Sequence, residues 1–353
     1  MQQLSKQILA NLLNEQRLLL PSTEQLNFPE RVLQFGTGVL LRGLPDYFID
    51  KANREGLYDG RVVIVKSTVS GGIDSFALQD GLYTICVKGV EAGKQVEECI
   101  VNAAVSRVLA ANQQWASVLE LAASPELELI ISNTTEVGIV YKAESIKEGV
   151  PDSFPAKLLA VLYHRYLRLG AAPATGLVIV PTELIQDNGA TLKNIVVQLA
   201  EENNLDTDFL EWLKTANHFC NSLVDRIVPG KLPAAEQEAI EQQLKYKDDL
   251  MIMAEPFRLW AVESEQAIVK RALRFSQADP GMIINKDINK FRELKLRMLN
   301  GTHSFSCGLA ILKGFATVKE VHAGQVDGGV YKTAYAAGNC VFFIAFYQPG
   351  RGQ

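Results

Sequence analysis

Three side chains late in the sequence combine types and spacing that can do chemistry: Lys295, Asn300 and His303, in the run Lys295-Leu-Arg-Met-Leu-Asn300-Gly-Thr-His303. An amine, a carboxamide and an imidazole can move protons and donate hydrogen bonds. In one continuing helix turning about 100° per residue, Asn300 lies about 140° from Lys295 and His303 about 80°. All three then share one side of the helix, among Leu296, Met298, Leu299 and Phe305. Polar groups are costly to bury without partners, so three on a largely apolar helix mark a candidate site. A plainer reading stands beside it: Lys295 solvated, Asn300-Gly301 a helix break, and His303 a satisfied core histidine.

A second constellation is glycine-rich. Gly36-Thr-Gly38-Val-Leu-Leu-Arg42-Gly43 follows an apolar run, Arg31-Val-Leu-Gln-Phe35, and precedes a helical pattern from Val39 to about Arg54. Glycines between a strand and a helix permit a tight turn and let backbone approach a pyrophosphate, which the helix N-terminus attracts. The common spacing has a further glycine three residues after Gly38; here that position is Leu41. A plain strand-to-helix turn is the alternative. The next strand, Arg61-Val-Val-Ile-Val-Lys66, completes one β-α-β unit. It ends in Lys66-Ser67-Thr68 without the acidic residue that would bind ribose hydroxyls, so local residues leave NAD and NADP both open.

Two polar clusters follow buried strands, where α/β folds place ligands. One is Ser132-Asn133-Thr134-Thr135-Glu136, the other Pro181-Thr-Glu183-Leu-Ile-Gln-Asp-Asn188-Gly189. Taken singly, each reads equally well as a helix cap, an Asx-turn or an ordinary turn.

The elements that must position these groups alternate. Leu82–Val87 and Leu127–Ile131 read as strands, Trp115–Ala123 and Ala156–Leu169 as helices, and Thr175–Val180 as a buried strand stopped by Pro181. Gly89 and Gly93 suggest a hairpin or loop, and Glu97–Val108 is ambiguous. Residues 1–30 read as a helix and a polar approach. After about Leu232 the chain reads as mainly helical, with two helical stretches from Asp287 to Gly314 broken near Gly301 or Gly308. The fold expected is α/β: a Rossmann-type, mostly parallel sheet over 1–279, including an N-terminal extension, then a helical C-terminal domain over 280–353 that reads as cut short.

The 353 residues are 48% hydrophobic and 21% charged, with net charge -5, which disfavours nucleic acid and anionic membrane surfaces as partners. Five widely spaced cysteines form no CxxC pair, so no metal site is expected. The same spacing suggests a reducing, cytoplasmic setting. No signal peptide or membrane span is expected.

The GxGxxxR loop at Gly36, Gly38 and Arg42, the segment Val224-Asp225-Arg-Ile227 and the Lys-x4-Asn-x2-His pattern at Lys295, Asn300 and His303 together resemble the long-chain, metal-independent polyol dehydrogenases. That family includes mannitol dehydrogenases, fructuronate reductases and tagaturonate reductases. The resemblance covers Phe28 to about Val321. Asp80–Thr84, Ser132–Ile139, Pro181–Ile185 and Ala216–Cys220 are most like the tagaturonate reductase branch. It implies NAD and a small sugar-acid substrate. It also implies Lys295 as general acid–base, Asn188 and Asn300 as oxyanion donors, and His303 as an orienting group. For the cofactor it implies Gly36, Gly38, Arg42, Asn133, Thr134, Thr135 and Asp225. Another polyol or uronate dehydrogenase of the family, or a non-catalytic dinucleotide-binding protein, are the alternatives.

Overall fold

In the computed structural model, residues 1–9, 11–12, 18–67, 73–134, 137–312 and 314–315 are described. The first half of the nucleotide-binding core consists of β1 (Glu30–Phe35), α1 (Val39–Gly43), α2 (Pro45–Arg54) and β2 (Arg61–Lys66). Next come β3 (Tyr83–Glu91), β4 (Lys94–Asn102), β5 (Val105–Ala110) and α3 (Ala111–Ala122). The second half is β6 (Leu129–Ser132), α4 (Phe154–Leu169), β7 (Val178–Pro181), α5 (Asn188–Glu202), α6 (Thr207–Thr215) and β8 (His218–Phe219).

Six strands make one sheet in the order β5-β2-β1-β6-β7-β8, and all neighbours run parallel. The strand order reverses between β1 and β6, the place where such sheets open a crevice at their C-terminal ends. Parallel strands covered on both faces must be apolar on both, and β2 is buried along its whole length. Val32, Val62, Ile64, Leu129, Ile131 and Val180 enter one core. Leu33, Phe35, Val63, Val65, Ile130 and Ile179 enter the other. The periodic helix α4 covers the second face. Ser153 caps it by accepting from the Ala156 N–H at 3.3 Å, with Pro155 in its first turn.

Two expectations are corrected. The helix from Val39 to Arg54 is two helices, because Leu44 (φ -132°, ψ -75°) turns the chain before Pro45; proline cannot supply the N–H that a continuing helix needs. In the first 30 residues, helix is confined among the described residues to Lys6–Leu9 and a short 3-10 turn at Gln25–Asn27, while Gln2–Gln3 and Leu18–Leu19 pair as strands. The stretch after Leu232 is mainly helical among the described residues, as its sequence suggests. It contains α7 (Ala234–Leu244) but also β10 (Ile252–Ala254), β11 (Leu259–Glu263) and β12 (Met282–Asn285). The strand β9 (Ser222–Asp225) runs antiparallel to β11, which pairs in parallel with β12. The residues read as ambiguous, 97–108, are the end of β4 and the start of β5, with Ala103 and Ala104 between them; β3 and β4 are neighbours in a second sheet that also takes in β10 and Leu18–Leu19. Ala92 and Gly93, both at positive φ, make the turn between them.

The chain divides into two compact units, one of Met1–Glu91 with Gln95–Lys286, the other of Ala92–Lys94 with the chain from Asp287. The first unit thus runs past residue 279, since β12 belongs to its sheet. In the second, α8 (Asn289–Leu294) passes into a π-helical turn over Lys295–Asn300 and then into α9 (Gly301–Leu312). Gly301 is helical (φ -61°, ψ -43°) and donates to the Leu296 carbonyl, so it does not break the helix. Among the described residues, no helix is long and apolar enough to cross a membrane.

A polar network lies beneath the first β-α turn. Gln34, in the middle of β1, and Tyr83 each donate to the buried Asp46 carboxylate at 3.4 Å. Asn102 donates to the Asp46 carbonyl at 3.0 Å. Burial pushes the Asp46 carboxyl up to about 7, against the opposing pull of Gln34, Arg42 and Tyr83. An unfolded aspartate titrates near 3.9, so the native state holds this proton more tightly. The resulting stabilisation is complete below about pH 4 and is lost as pH rises through about 7. Wild-type unfolding free energy should therefore fall relative to Asp46→Asn across that window, by an amount on the order of 4 kcal/mol. Urea titrations of both proteins at several pH values test this, and parallel curves would refute it.

Candidate functional site

The loop after β1 is built by glycine where geometry demands it. Gly36 has φ +125°, and a Cβ there would stand 2.8 Å from the Asn133 carbonyl oxygen and 3.0 Å from Leu41 Cδ1. The backbone after β1 therefore passes directly against the backbone after β6. Gly38 differs: its backbone is ordinary (φ -61°, ψ 153°) and a Cβ would meet nothing within 4 Å. It opens onto the crevice. The first intrahelical bond of α1 closes from the Arg42 N–H to the Gly38 carbonyl at 3.3 Å. The N–H groups of Val39, Leu40 and Leu41 precede it and have no helical acceptor. Leu41, where a third glycine was missed, is fully buried against Gly36. Close packing is supplied two residues on, where a Cβ on Gly43 would come within 2.8 Å of Val228.

A cavity of about 620 Å³ lies over this turn, bordered by Gly36, Thr37, Gly38, Lys66, Asn133 and Thr134, with Val137, Val140, Lys142 and Ser153 among the residues on its other walls. Its size falls in the range of small-molecule and cofactor sites. Of the expected cofactor residues, Gly36, Gly38, Asn133 and Thr134 are thus brought together. Thr135 lies outside the described residues.

Glu183 holds one wall in place, a role its sequence neighbourhood did not disclose. Its buried carboxylate accepts from the Thr134 N–H and Thr134 hydroxyl at 2.9 Å each, and from the Ser132 hydroxyl at 3.1 Å. Burial raises its pKa, opposed by those hydrogen bonds. Asn133 donates to Thr182 at its carbonyl (3.1 Å) and hydroxyl (3.0 Å). The ends of β6 and β7 are thereby locked to each other. The available signal was an acid directly after a buried strand, a costly place for a charge without a task.

Three expected site residues have other work. Arg42 is buried, donates to the Leu250 carbonyl at 2.6 Å and lies over the rings of Phe76 and Tyr83; it does not border the cavity. Asn188 is buried at the start of α5. Its amide nitrogen donates to the carbonyls of Pro181, Glu183 and Ser222, and its amide oxygen accepts from the Gly189 and Ser222 N–H groups. With both amide hydrogens committed to backbone, Asn188 pins the β7–α5 loop and has none to offer a developing alkoxide. Asp225 ends β9, opposite Leu259, and is not on the cavity wall.

Lys295, Asn300 and His303 sit in the second unit. Lys295 is half-buried and Asn300 exposed, at the two ends of the π-helical turn. A turn closed by i→i+5 bonds takes more residues per revolution than an α-turn, so Lys295 and Asn300 lie closer in azimuth than a uniform α-helix allows. π-Turns inside α-helices are frequent at functional sites. His303 is in α9; its side chain lies outside the described residues. Among the described residues, no group of three or more His, Cys, Asp or Glu could hold a metal.

The strand order and the glycine turn at the switch point define a Rossmann-type α/β protein. The mannitol dehydrogenase Rossmann domain matches residues 30–274, and the chain belongs to that family. It is 42% identical over 299 residues to an altronate oxidoreductase of Halalkalibacterium halodurans, covering 84% of this chain and 58% of that one. It is 39% identical over 294 residues to an altronate oxidoreductase of Bacillus subtilis, covering 83% and 61%. The chain therefore spans about three fifths of the length of these curated relatives. Pseudomonas fluorescens mannitol 2-dehydrogenase, solved as a ternary complex with NAD and D-mannitol, matches with a TM-score of 0.72 at 21% identity, covering 99% of this chain and 71% of that one. Substrate-free D-sorbitol dehydrogenase gives 0.72 at 21%, covering 88% and 65%. At that identity these two speak to the fold.

The two glycines should respond differently to alanine. Gly36→Ala meets backbone and a strained φ, and should cost about 1–3 kcal/mol of stability. Gly38→Ala should leave the thermal midpoint within a degree or two of wild type while weakening dinucleotide binding, because its methyl enters the cavity. Equal effects on both readouts would contradict this assignment. Glu183→Ala should destabilise by about 1–3 kcal/mol by stranding buried donors, with Glu183→Gln milder; chemical denaturation ranks the two, and the reverse order would refute the clamp.

Proposed function

We propose that the chain is the nucleotide-binding and lysine-bearing part of an NAD-dependent tagaturonate reductase (altronate oxidoreductase). The observation that carries this reading is the cavity at the strand-order reversal, cradled by Gly36, Thr37 and Gly38, on a chain 42% identical to an altronate oxidoreductase. The fit to a dinucleotide rests on three features of the first unit. A side chain at Gly38 would occupy the cavity, the N–H groups of Val39 to Leu41 are unused by the helix, and Lys66 supplies a cation at the rim. Gly36 to Leu41 would hold the pyrophosphate, with Asn133 and Thr134 on the facing wall. The exposed side chains of Val137 and Val140 give apolar surface for a flat base. When bound, the nicotinamide supplies a hydride to the substrate carbon.

The remaining proton is the protein's responsibility. In the reducing direction the Lys295 ammonium gives a proton to the ketone oxygen as the carbon becomes a secondary alcohol; in the oxidising direction the neutral amine takes the hydroxyl proton back. Asn300, brought round by the π-turn, donates to the developing alkoxide. His303 orients the substrate or the lysine. Asn188 acts by positioning the loop and not by direct contact. The substrate is a sugar acid, in keeping with the names of the relatives.

Mixing the protein with NADH and D-tagaturonate and following nicotinamide absorbance tests the proposal. Lys295→Ala should lower kcat at least 100-fold while leaving NADH affinity, measured by fluorescence quenching, unchanged. Turnover unaffected by Lys295→Ala, or a preference for fructuronate or mannitol over tagaturonate, would reject it.

A further inference from the structure

The hairpin β3–β4 holds two thiols face to face, neither of them on the cavity wall. Cys86 Sγ and Cys99 Sγ stand 3.3 Å apart, both as free cysteines. Each sits on a paired strand, Cys86 beside Met253 of β10 and Cys99 beside Leu18. Their backbones are therefore fixed, and the thiols share one apolar pocket with Leu4, Ile8, Leu18 and Met251. A disulfide needs sulfurs about 2.05 Å apart, so bond formation asks for roughly 1.2 Å of closure.

We propose that Cys86 and Cys99 are a redox pair that forms a reversible disulfide across the β3–β4 hairpin on contact with a peroxide. The two thiols are unequal in the way such a pair requires. Cys99 is only half-buried. The hydrogen bond between the two sulfurs, in which either thiol can donate, holds the Cys99 pKa below the ordinary range, helped by the Lys88 ammonium. Cys86 is fully buried, and its pKa is raised by that same hydrogen bond and by desolvation. Cys99 is thus the thiolate that meets the oxidant and Cys86 the thiol that resolves it.

The steps balance. Cys99 thiolate attacks a peroxide oxygen, the O–O bond breaks, and hydroxide leaves; Cys99 becomes a sulfenic acid. The Cys86 sulfur then displaces the sulfenic hydroxyl, its proton leaving with that hydroxyl as water. Two thiols are oxidised by two electrons and one peroxide is reduced. A dithiol reductant reverses the bond through a mixed disulfide. Lys88, whose charge acts on both thiols, is paired with Glu236 at 2.9 Å and Glu97 at 3.7 Å. Among the other described cysteines, the buried Cys220 thiol donates to the His218 carbonyl at 3.7 Å and the exposed Cys307 thiol to the Ser304 carbonyl at 3.4 Å.

The test uses the whole chain with hydrogen peroxide, then iodoacetamide, then intact-mass and peptide mapping without reduction. The expected result is a loss of about 2 Da, a peptide pair joined through Cys86 and Cys99, and full reversal by dithiothreitol. Cys86→Ser should leave Cys99 as a sulfenic acid that dimedone traps, and Cys99→Ser should leave Cys86 unreacted. If the variants do not fold, the wild-type map alone decides. Alkylation of both residues after peroxide treatment, or a bridge to any other cysteine in their place, would overturn the proposal.

Discussion

The close approach of two loop backbones at the head of the sheet governs this structure. A Cβ on Gly36 would be 2.8 Å from the carbonyl of Asn133, so the turn leaving β1 can lie against the turn leaving β6 only without a side chain. That approach sits where the strand order reverses. It brings a glycine loop from one half of the fold to the polar cluster Asn133-Thr134 from the other, and the crevice between them is the cavity. Strand pairing fixes the crevice from below, with β1 in register with both β2 and β6.

Polar clamps then hold the crevice walls. Glu183 and Thr182 tie the end of β7 to the end of β6, and Asn188 ties the following loop to Pro181 and Ser222. Below α1, Arg42 and Tyr83 connect the first β-α turn to Leu250 and Asp46. Each clamp buries groups that are expensive to leave unpaired, and each therefore fixes one loop geometry in place of several. The cavity walls are largely backbone and small side chains, with Lys66, Lys142 and Asp152 among them, while Arg42 and Glu183 stand one layer behind.

This layering bears on how much of the site is legible in the sequence. Gly36 and Gly38 were legible because glycine between a strand and a helix has few purposes. Arg42 and Asn188 entered the expected site through the resemblance to the polyol dehydrogenases. The structure turns both inward, to the Leu250 carbonyl and to the β7–α5 backbone respectively. Glu183 was visible as an acid after a strand, but its partners, Ser132 and Thr134, come from a segment about fifty residues earlier. No local pattern encodes such a pairing.

The sequence by itself determined the alternation of apolar strands and amphipathic helices from Arg31 to Val180, since both patterns depend on side-chain period alone. It also determined the glycine turn and the Lys295, Asn300 and His303 spacing, which mark the family. Tertiary structure decided the rest. It chose strand over helix for Ile252–Ala254 and Leu259–Glu263, because pairing with β3 and with β9 and β12 outweighs local preference. It widened the helix at Lys295–Asn300 into a π-turn without a glycine break. It also placed Cys86 against Cys99, thirteen residues apart in sequence and 3.3 Å apart at sulfur. Local spacing records what one segment prefers; contacts between segments distant in sequence depend on how all of them pack together.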